Sequence, residues 1–374
     1  MATLKGVTLT LLIGPGIPAP APKPVLEALD SVQTTSGAGS RSGFQLTFLY
    51  SKTSSIAKTL LPSGFFDPMV RVIIVATLNG IPHVLADGAI TRQDVVPATQ
   101  PGNAKLTLTG EDVSVYMDAL DLTGLPYPAM PDAAIVLVAL AKYALFGVIP
   151  LVVPPISFEA PMPTKAYKHH DGTDLAFIEK LAKDAGYVFY IDPGPAPGAN
   201  TAYFGPPIRV GVPQRALTVD FDAATNVEQL SFSVDSNNTT LPVARVRLPG
   251  VKVPVPLPVP DVGLLKPPLA ARPFVPRRMR WMETERMGPA DVFKIALAGR
   301  GDADPVSASG SLSVPVYGQP LKARGLVGVR GAGLMHDGLF YVKSVTNTLS
   351  RGSWKQSFQL VRDGAISNVP AVPV

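Results

Sequence analysis

The sequence predicts an α+β protein, mainly β, made of antiparallel strands with a small helical α/β insert. Three observations predict it. Short runs rich in Val, Ile, Leu, Thr and aromatic residues recur along the whole chain, bounded by turn residues. Clear amphipathic helical spacing is found mainly in the middle. Cysteine is absent from the 374 residues, so an apolar core must hold the fold without disulfides.

The elements follow in order. A strand is read at 3–13, then a proline-rich loop at 14–24. Strands at 26–35 and 44–50 flank a Gly/Ser turn, and 51–61 reads as a short helix. Strands at 70–79, 81–91 and 105–111 complete a first tube-like β-barrel module, residues 1–125. The insert spans 126–205. Its apolar run 133–153 is long enough to cross a bilayer. Lys142 near the middle and Pro150 near the end argue against that. The run reads instead as a buried helix of about 12–14 residues, with Asp132 as N-cap, followed by a strand. Another strand is read at 156–160. Residues 174–185 form a helix with Leu175, Ile178, Leu181, Ala182 and Ala185 on one face. Thr173 or Asp174 can cap its start, and Gly186 supplies the stop. Residues 187–192 read as a strand.

A second β-barrel module is read over 206–374, with strands at 208–212, 230–235, 244–248, 309–316, 323–329, 338–349 and 354–362. A helix is read at 287–300. Between them the stretch 251–276 alternates proline with other residues. Proline removes backbone donors, so this is an extended arm or an edge segment. Both halves carry strands with turns at similar spacing. They are expected to be related, although no crisp sequence period shows it.

Composition narrows the class of function. Charged residues make up 16% of the chain, against roughly 25% in an average soluble protein. Its 40 prolines are about twice the usual share, and the mean hydropathy is +0.24. Such a chain either enters a membrane or has its exterior covered by neighbours. The net charge is +5. The only dense basic cluster is Arg277, Arg278 and Arg280 with Trp281, which is no stripe, so no specific nucleic-acid site is expected. The apolar run at 7–13 is too short for a secretion signal.

No catalytic, cofactor or metal constellation stands out. The histidines are His83, His169, His170 and His336. Neighbouring His169 and His170 would point to opposite faces of a strand. The glycine-rich run 328–333 lacks the following helix that a dinucleotide loop needs, and reads as a hairpin loop. The carboxylate pairs Asp302/Asp304 and Glu283/Glu285 show no sign of an acid/base cleft, and the RGD at 300–302 reads as a polar loop. The chain is expected not to be an enzyme.

Residues 167–192, YKHHDGTDLAFIEKLAKDAGYVFYID, resemble the signature of phage baseplate hub proteins. These include late-control protein D-like tail proteins and the hub portion of type VI valine-glycine-repeat spike proteins. Asp174, Phe177, Ile178, Leu181, Ala182, Gly186 and Tyr187 match its places. Residues 338–364 resemble the family's closing hairpin through Gly338, Tyr341, Val345, Trp354, Phe358 and Arg362. Trp354 stands where Tyr is common and Asn347 where His is common. GFQLTF and LADGAITRQDVVP…KLTLTGEDVS resemble its first barrel.

The resemblance implies a homotrimeric hub of a phage tail or contractile injection system. Two similar barrels per subunit would let three copies imitate a sixfold ring, with a hexameric tail tube protein above and a trimeric spike below. It implies a location in the virion baseplate or injection particle, after synthesis in the bacterial cytoplasm. No spike base or β-helix repeat follows the closing hairpin, so the spike is expected to be a separate protein. The proline-rich stretches exceed the family's pattern and are expected to contact baseplate wedge proteins. The alternatives are a membrane-associated β protein anchored by 133–153 and a tail-associated cell-wall hydrolase. No stable membrane anchor is expected.

Overall fold

Alternation builds the first region. A computed structural model describes residues 6–97, 104–154, 168–220, 224–235, 240–246, 255–258, 266–274, 277–281 and 304–369. In β1 (Val7–Gly14) the side chains of Val7, Leu11 and Ile13 are buried, as the period-2 pattern of a one-faced strand requires. β2 (Ala19–Pro20) folds back onto it. The strand expected from residue 26 begins later. Pro24 starts a short helix, α1 (Lys23–Ala28), and β3 (Leu29–Gly37) follows. Proline suits a first helical turn because its missing donor has no partner there anyway. β4 (Ser40–Tyr50), β5 (Arg71–Leu78), β6 (Ile81–Val96) and β7 (Ala104–Asp112) complete the region. The helix expected at 51–61 is one π-type turn, Ile56–Leu60. β6 runs past the expected end at residue 91.

The insert contains β8 (Pro126–Tyr127), α2 (Asp132–Ala141), β9 (Val148–Val152), β10 (Lys168–His169), α3 (Asp174–Ala185), β11 (Val188–Pro193) and β12 (Asn200–Gly205). The apolar run 133–153 is therefore broken. α2 has ten residues, capped by Pro131 rather than Asp132. A 3-10 turn, Ala144–Phe146, and left-handed Gly147 at φ 73° then redirect the chain into β9. Among the described residues no helix is long and apolar enough to cross a membrane. β12, absent from the sequence reading, pairs with β11 and with β9 in a small sheet. α2, α3 and this sheet close a separate core around Ile135, Leu140, Ile178, Leu181 and Phe204.

The last region contains β13 (Gln214–Thr218), β14 (Gln229–Val234), β15 (Thr240–Val246), β16 (Val255–Pro258), β17 (Ala270–Pro273), β18 (Arg278–Trp281), β19 (Val306–Ser313), α4 (Val314–Tyr317), β20 (Leu326–Arg330), β21 (Gly338–Ser350), β22 (Ser353–Arg362) and β23 (Gly364–Ser367). The strand expected at 208–212 does not form. Pro206, Pro207 and Pro213 crowd it, and β13 starts beyond them. The end of the expected strand 309–316 is α4, again opened by a proline. Within the proline-rich stretch, β16 pairs with β15 and β17 with β23, each in a small sheet. The expected strand 156–160, the expected helix 287–300 and residues 251–254, 259–265 and 275–276 of that stretch lie outside the described residues.

The fold is α+β and mainly β. Its main sheet has 13 strands, along the path β14-β19-β22-β21-β3-β4-β7-β6-β5-β1-β2, with β20 on β21 and β13 on β20. The halves meet where β21 pairs antiparallel with β3, from Ser344 opposite Gly37 to Ser350 opposite Ser31. The ladder is open, and no closure into barrels is seen among the described residues. One pattern occurs twice. β3, β4, β5, β6 and β7 lie in the spatial order β3-β4-β7-β6-β5, and β14, β19, β20, β21 and β22 lie in the order β14-β19-β22-β21-β20. β6 and β21 even carry matching bulges, between Ile90 and Arg92 and between Val342 and Ser344.

Leu181 is 2% exposed in the insert core. Leu181→Ala should cost about 2–5 kcal/mol, read as a lowered urea midpoint with little change in slope.

Candidate functional site

The helical signature builds the inside of the insert. Thr173 caps α3, its hydroxyl accepting from the Ala176 amide at 3.3 Å. Asp174 is buried and accepts from Lys142 Nζ at 2.8 Å and Tyr143 Oη at 2.6 Å. Burial and that hydrogen bond push the Tyr143 hydroxyl well above the ordinary tyrosine range. Phe177, Ile178, Leu181 and Ala182 are all buried, and Phe177 stacks on Tyr127 at 5.8 Å. Gly186 ends the helix at φ 71°. Tyr187 packs its ring against Phe204 and donates to the Pro154 carbonyl at 3.2 Å. His170 is buried with Nδ1 2.9 Å from Tyr127 Oη, whereas His169 is exposed. Among the described residues no group of three or more His, Cys, Asp or Glu could hold a metal ion.

Three arginines fasten the insert and the last region to their neighbours, and the sequence reading missed them. Arg71 and Asp87 form a buried, two-pronged pair at 2.8 Å on neighbouring strands β5 and β6. Arg71 also reaches the Phe146 carbonyl at 2.7 Å, and Asn200 donates to Asp87 at 2.8 Å, so both insert segments are tied down. Arg324 donates to Asp192 of the insert and to the Gly37 carbonyl of β3, and lies 4.1 Å over the Tyr190 ring. Arg209 grips Asp304 at 2.6 Å through both nitrogens and stacks on Tyr341 at 4.9 Å. Burial pushes the Asp304 carboxyl up, but Arg209 holds it below its ordinary range. The available signal was a charge inside an apolar run, as at Arg71 in RVIIVATL and Asp87 in LADGAI.

The closing hairpin forms a second polar centre. Trp354 is 1% exposed and donates to Asn347 Oδ1 at 3.0 Å. Gln356 donates to the same oxygen at 2.9 Å, and Asn347 reaches Thr34 of β3 at 3.1 Å. Val345 and Phe358 lie in the main core. Gly338 has φ 106°, and an added Cβ would come within 2.1 Å of Ser367 Cβ. Arg362 is fully buried. It donates to the carbonyls of Gly364, Asp337 and Met335 at 2.9, 3.0 and 2.6 Å, beneath the Phe340 ring. Of the glycine-rich run 328–333, the first three residues end β20 and the last three begin the connection to its antiparallel partner β21.

A groove of about 520 Å³ runs between α3, β11 and the β3–β4 turn. Its charged lining is engaged within the chain. Arg41 pairs with Glu111, Arg324 with Asp192 and Arg209 with Asp304. Asp112 accepts from the Ser42 and Ser114 amides, and burial raises its pKa. This geometry builds rigid joints between segments. Two strand edges of the main sheet are less satisfied among the described residues. Among the described residues β14 has a ladder only with β19. The β5 ladder on β6 stops at Ala89, so 91–96 carry a ladder only with β7 among the described residues. Val95, Val96 and Val234 are exposed there at 45%, 58% and 44%.

No protein-family model matches the sequence, and no curated protein matches it. Solved structures match in fold. The tail protein from Neisseria meningitidis shares 14% identity at a TM-score of 0.63, over 96% of this chain and 97% of that one. The 43 kDa tail protein of prophage MuSo2 from Shewanella oneidensis shares 13% at a TM-score of 0.63, over 96% and 98%. A component of the E. coli type VI secretion system shares 13% at a TM-score of 0.53, over 92% and 78%. The chain therefore has the fold of these phage tail and type VI secretion proteins.

Replacing Arg71 by Met alone should cost about 3–5 kcal/mol, because Asp87 is left buried without its cation. The double variant Arg71→Met/Asp87→Leu should recover part of that in the same denaturation experiment. His336 stacks on Phe232 of β14 at 4.4 Å. Burial and then the nearby Arg362 hold its pKa below 6.5. The folded state thus binds fewer protons than the unfolded one just below pH 6.5. The stabilisation is present above that value and fades as pH falls through the lowered pKa. His336→Phe should flatten the dependence of the melting temperature on pH between about 7 and 5.

Proposed function

We propose that the chain is a non-enzymatic hub subunit of a phage tail or related injection machine. Three copies form an adaptor between a hexameric tail tube and a separate trimeric spike. The division into modules 1–125 and 206–374, with the insert 126–205 between them, serves that adaptor. The signature residues of α3 and of the closing hairpin are structural, holding the insert and the second module. The proline-rich segments contact baseplate wedge proteins.

The repeated strand order is the observation that carries this reading. Eight adjacent strands, β14-β19-β22-β21-β3-β4-β7-β6, divide into two blocks of four, one from each half, and every neighbouring pair is antiparallel. An even block keeps strand direction unchanged from one block to the next. A rotation of about one sixth of a turn can then relate the halves of one chain, and the same step can carry one chain to its neighbour. Contacts between different surfaces close into a ring when the rotation closes. Low charge and open sheet ends also favour a covered subunit.

The test is the mass of the purified assembly in solution. Three copies, or a multiple of three with the tube and spike, are expected. Any other copy number would sink the reading.

A further inference from the structure

The junction between the two halves inside the chain pairs β21 with β3 in a defined register. The duplicated strands can be matched through their ladders. Thr91 and Lys343 occupy the two bulges, so Arg92, Asp94 and Val96 of β6 correspond to Ser344, Thr346 and Thr348 of β21. Thr109 faces Arg92 and Gln45, whereas Gln359 faces Ser344 and Ser309. Gln45 pairs with Gln33, and Ser309 pairs with Ser231. Ser231 and Ser233 of β14 therefore correspond to Gln33 and Thr35 of β3. Within the chain, Thr346 sits opposite Thr35, their hydroxyls 3.3 Å apart, and Thr348 sits opposite Gln33.

We propose that residues 91–96 pair antiparallel with β14 of a second copy of this chain. The register places Asp94 opposite Ser233 of the partner subunit and Val96 opposite Ser231 of the partner subunit. The inference rests on the ring reading and adds its strand pair and register. Several features favour a second copy as the occupant. Both edges have free ladder positions among the described residues. Their directions alternate correctly across the join. The register sets exposed Val95 opposite Phe232 of the partner subunit, with exposed Val234 of the partner subunit beside it, on the face that continues the main core. A slip of one residue would turn Val95 and Val234 to the opposite face.

The chain has no cysteine, so engineered thiols report without background. Asp94→Cys/Ser233→Cys in the full chain should give, on mild oxidation, a covalent trimer on a non-reducing gel. The two positions lie across eight strands, roughly 30 Å apart along the sheet, so one chain cannot bridge them. Each single variant should stop at a dimer or remain unlinked. The slipped pair Asp94→Cys/Ser231→Cys should remain largely unlinked. Val234→Lys, at an exposed position of the free chain, should shift the assembly toward monomer. A trimeric mass with no in-register cross-link, or with cross-linking only in the slipped pair, overturns the register and leaves the ring standing. A chain that stays monomeric at every concentration overturns both.

Discussion

The pairing of β21 with β3 is the constraint on which the rest depends. It turns two sets of strands, separated in sequence by the whole insert, into one sheet with one main core. Without it each half would expose another long hydrogen-bonding edge, and such edges recruit foreign strands. Hydroxyl contact between Thr35 and Thr346 and the Asn347–Thr34 hydrogen bond fix its register. A shift by one residue would turn core and solvent faces inside out.

The insert depends on that sheet through charges rather than through apolar packing alone. Arg71 and Arg324 each bridge the insert to the sheet, and Arg209 joins two segments of the last region. Burying an arginine is costly unless a carboxylate and carbonyls receive its donors. These joints therefore favour one placement of the insert over its alternatives. The fold similarity to tail proteins extends across nearly the whole chain at low identity. That pattern fits an architecture specified by strand order and core positions more than by particular surface residues.

Much of the core was legible in local patterns. The 3/4 spacing of α3 gave Leu175, Ile178, Leu181 and Ala182 one face, and all four are buried; the runs of β4, β7, β21 and β22 were legible as strands. The reading failed where prolines and bends intervened. Pro24 and Pro315 opened short helices where strands were expected, and β12 followed a Pro/Gly turn with no signal of its pairing. In the candidate site, the signature positions were legible as a set, but the partners of Asp174 and Arg362 were not. Those partners are backbone carbonyls and side chains that only chain folding brings near. Arg71 and Asp87 are single charges inside apolar runs, and nothing local names either as the partner of the other.

The sequence by itself determined the mainly β class, the helix at 174–185 and the break of 133–153 into a short helix and a strand. Those follow from periodicity, proline placement and the cost of Lys142 in lipid, all local properties. Tertiary structure alone decided which strands are neighbours, where the sheet stays open and which charges meet. Strand pairing and buried ion pairs depend on contacts between residues far apart in the chain, and no local pattern encodes that distance.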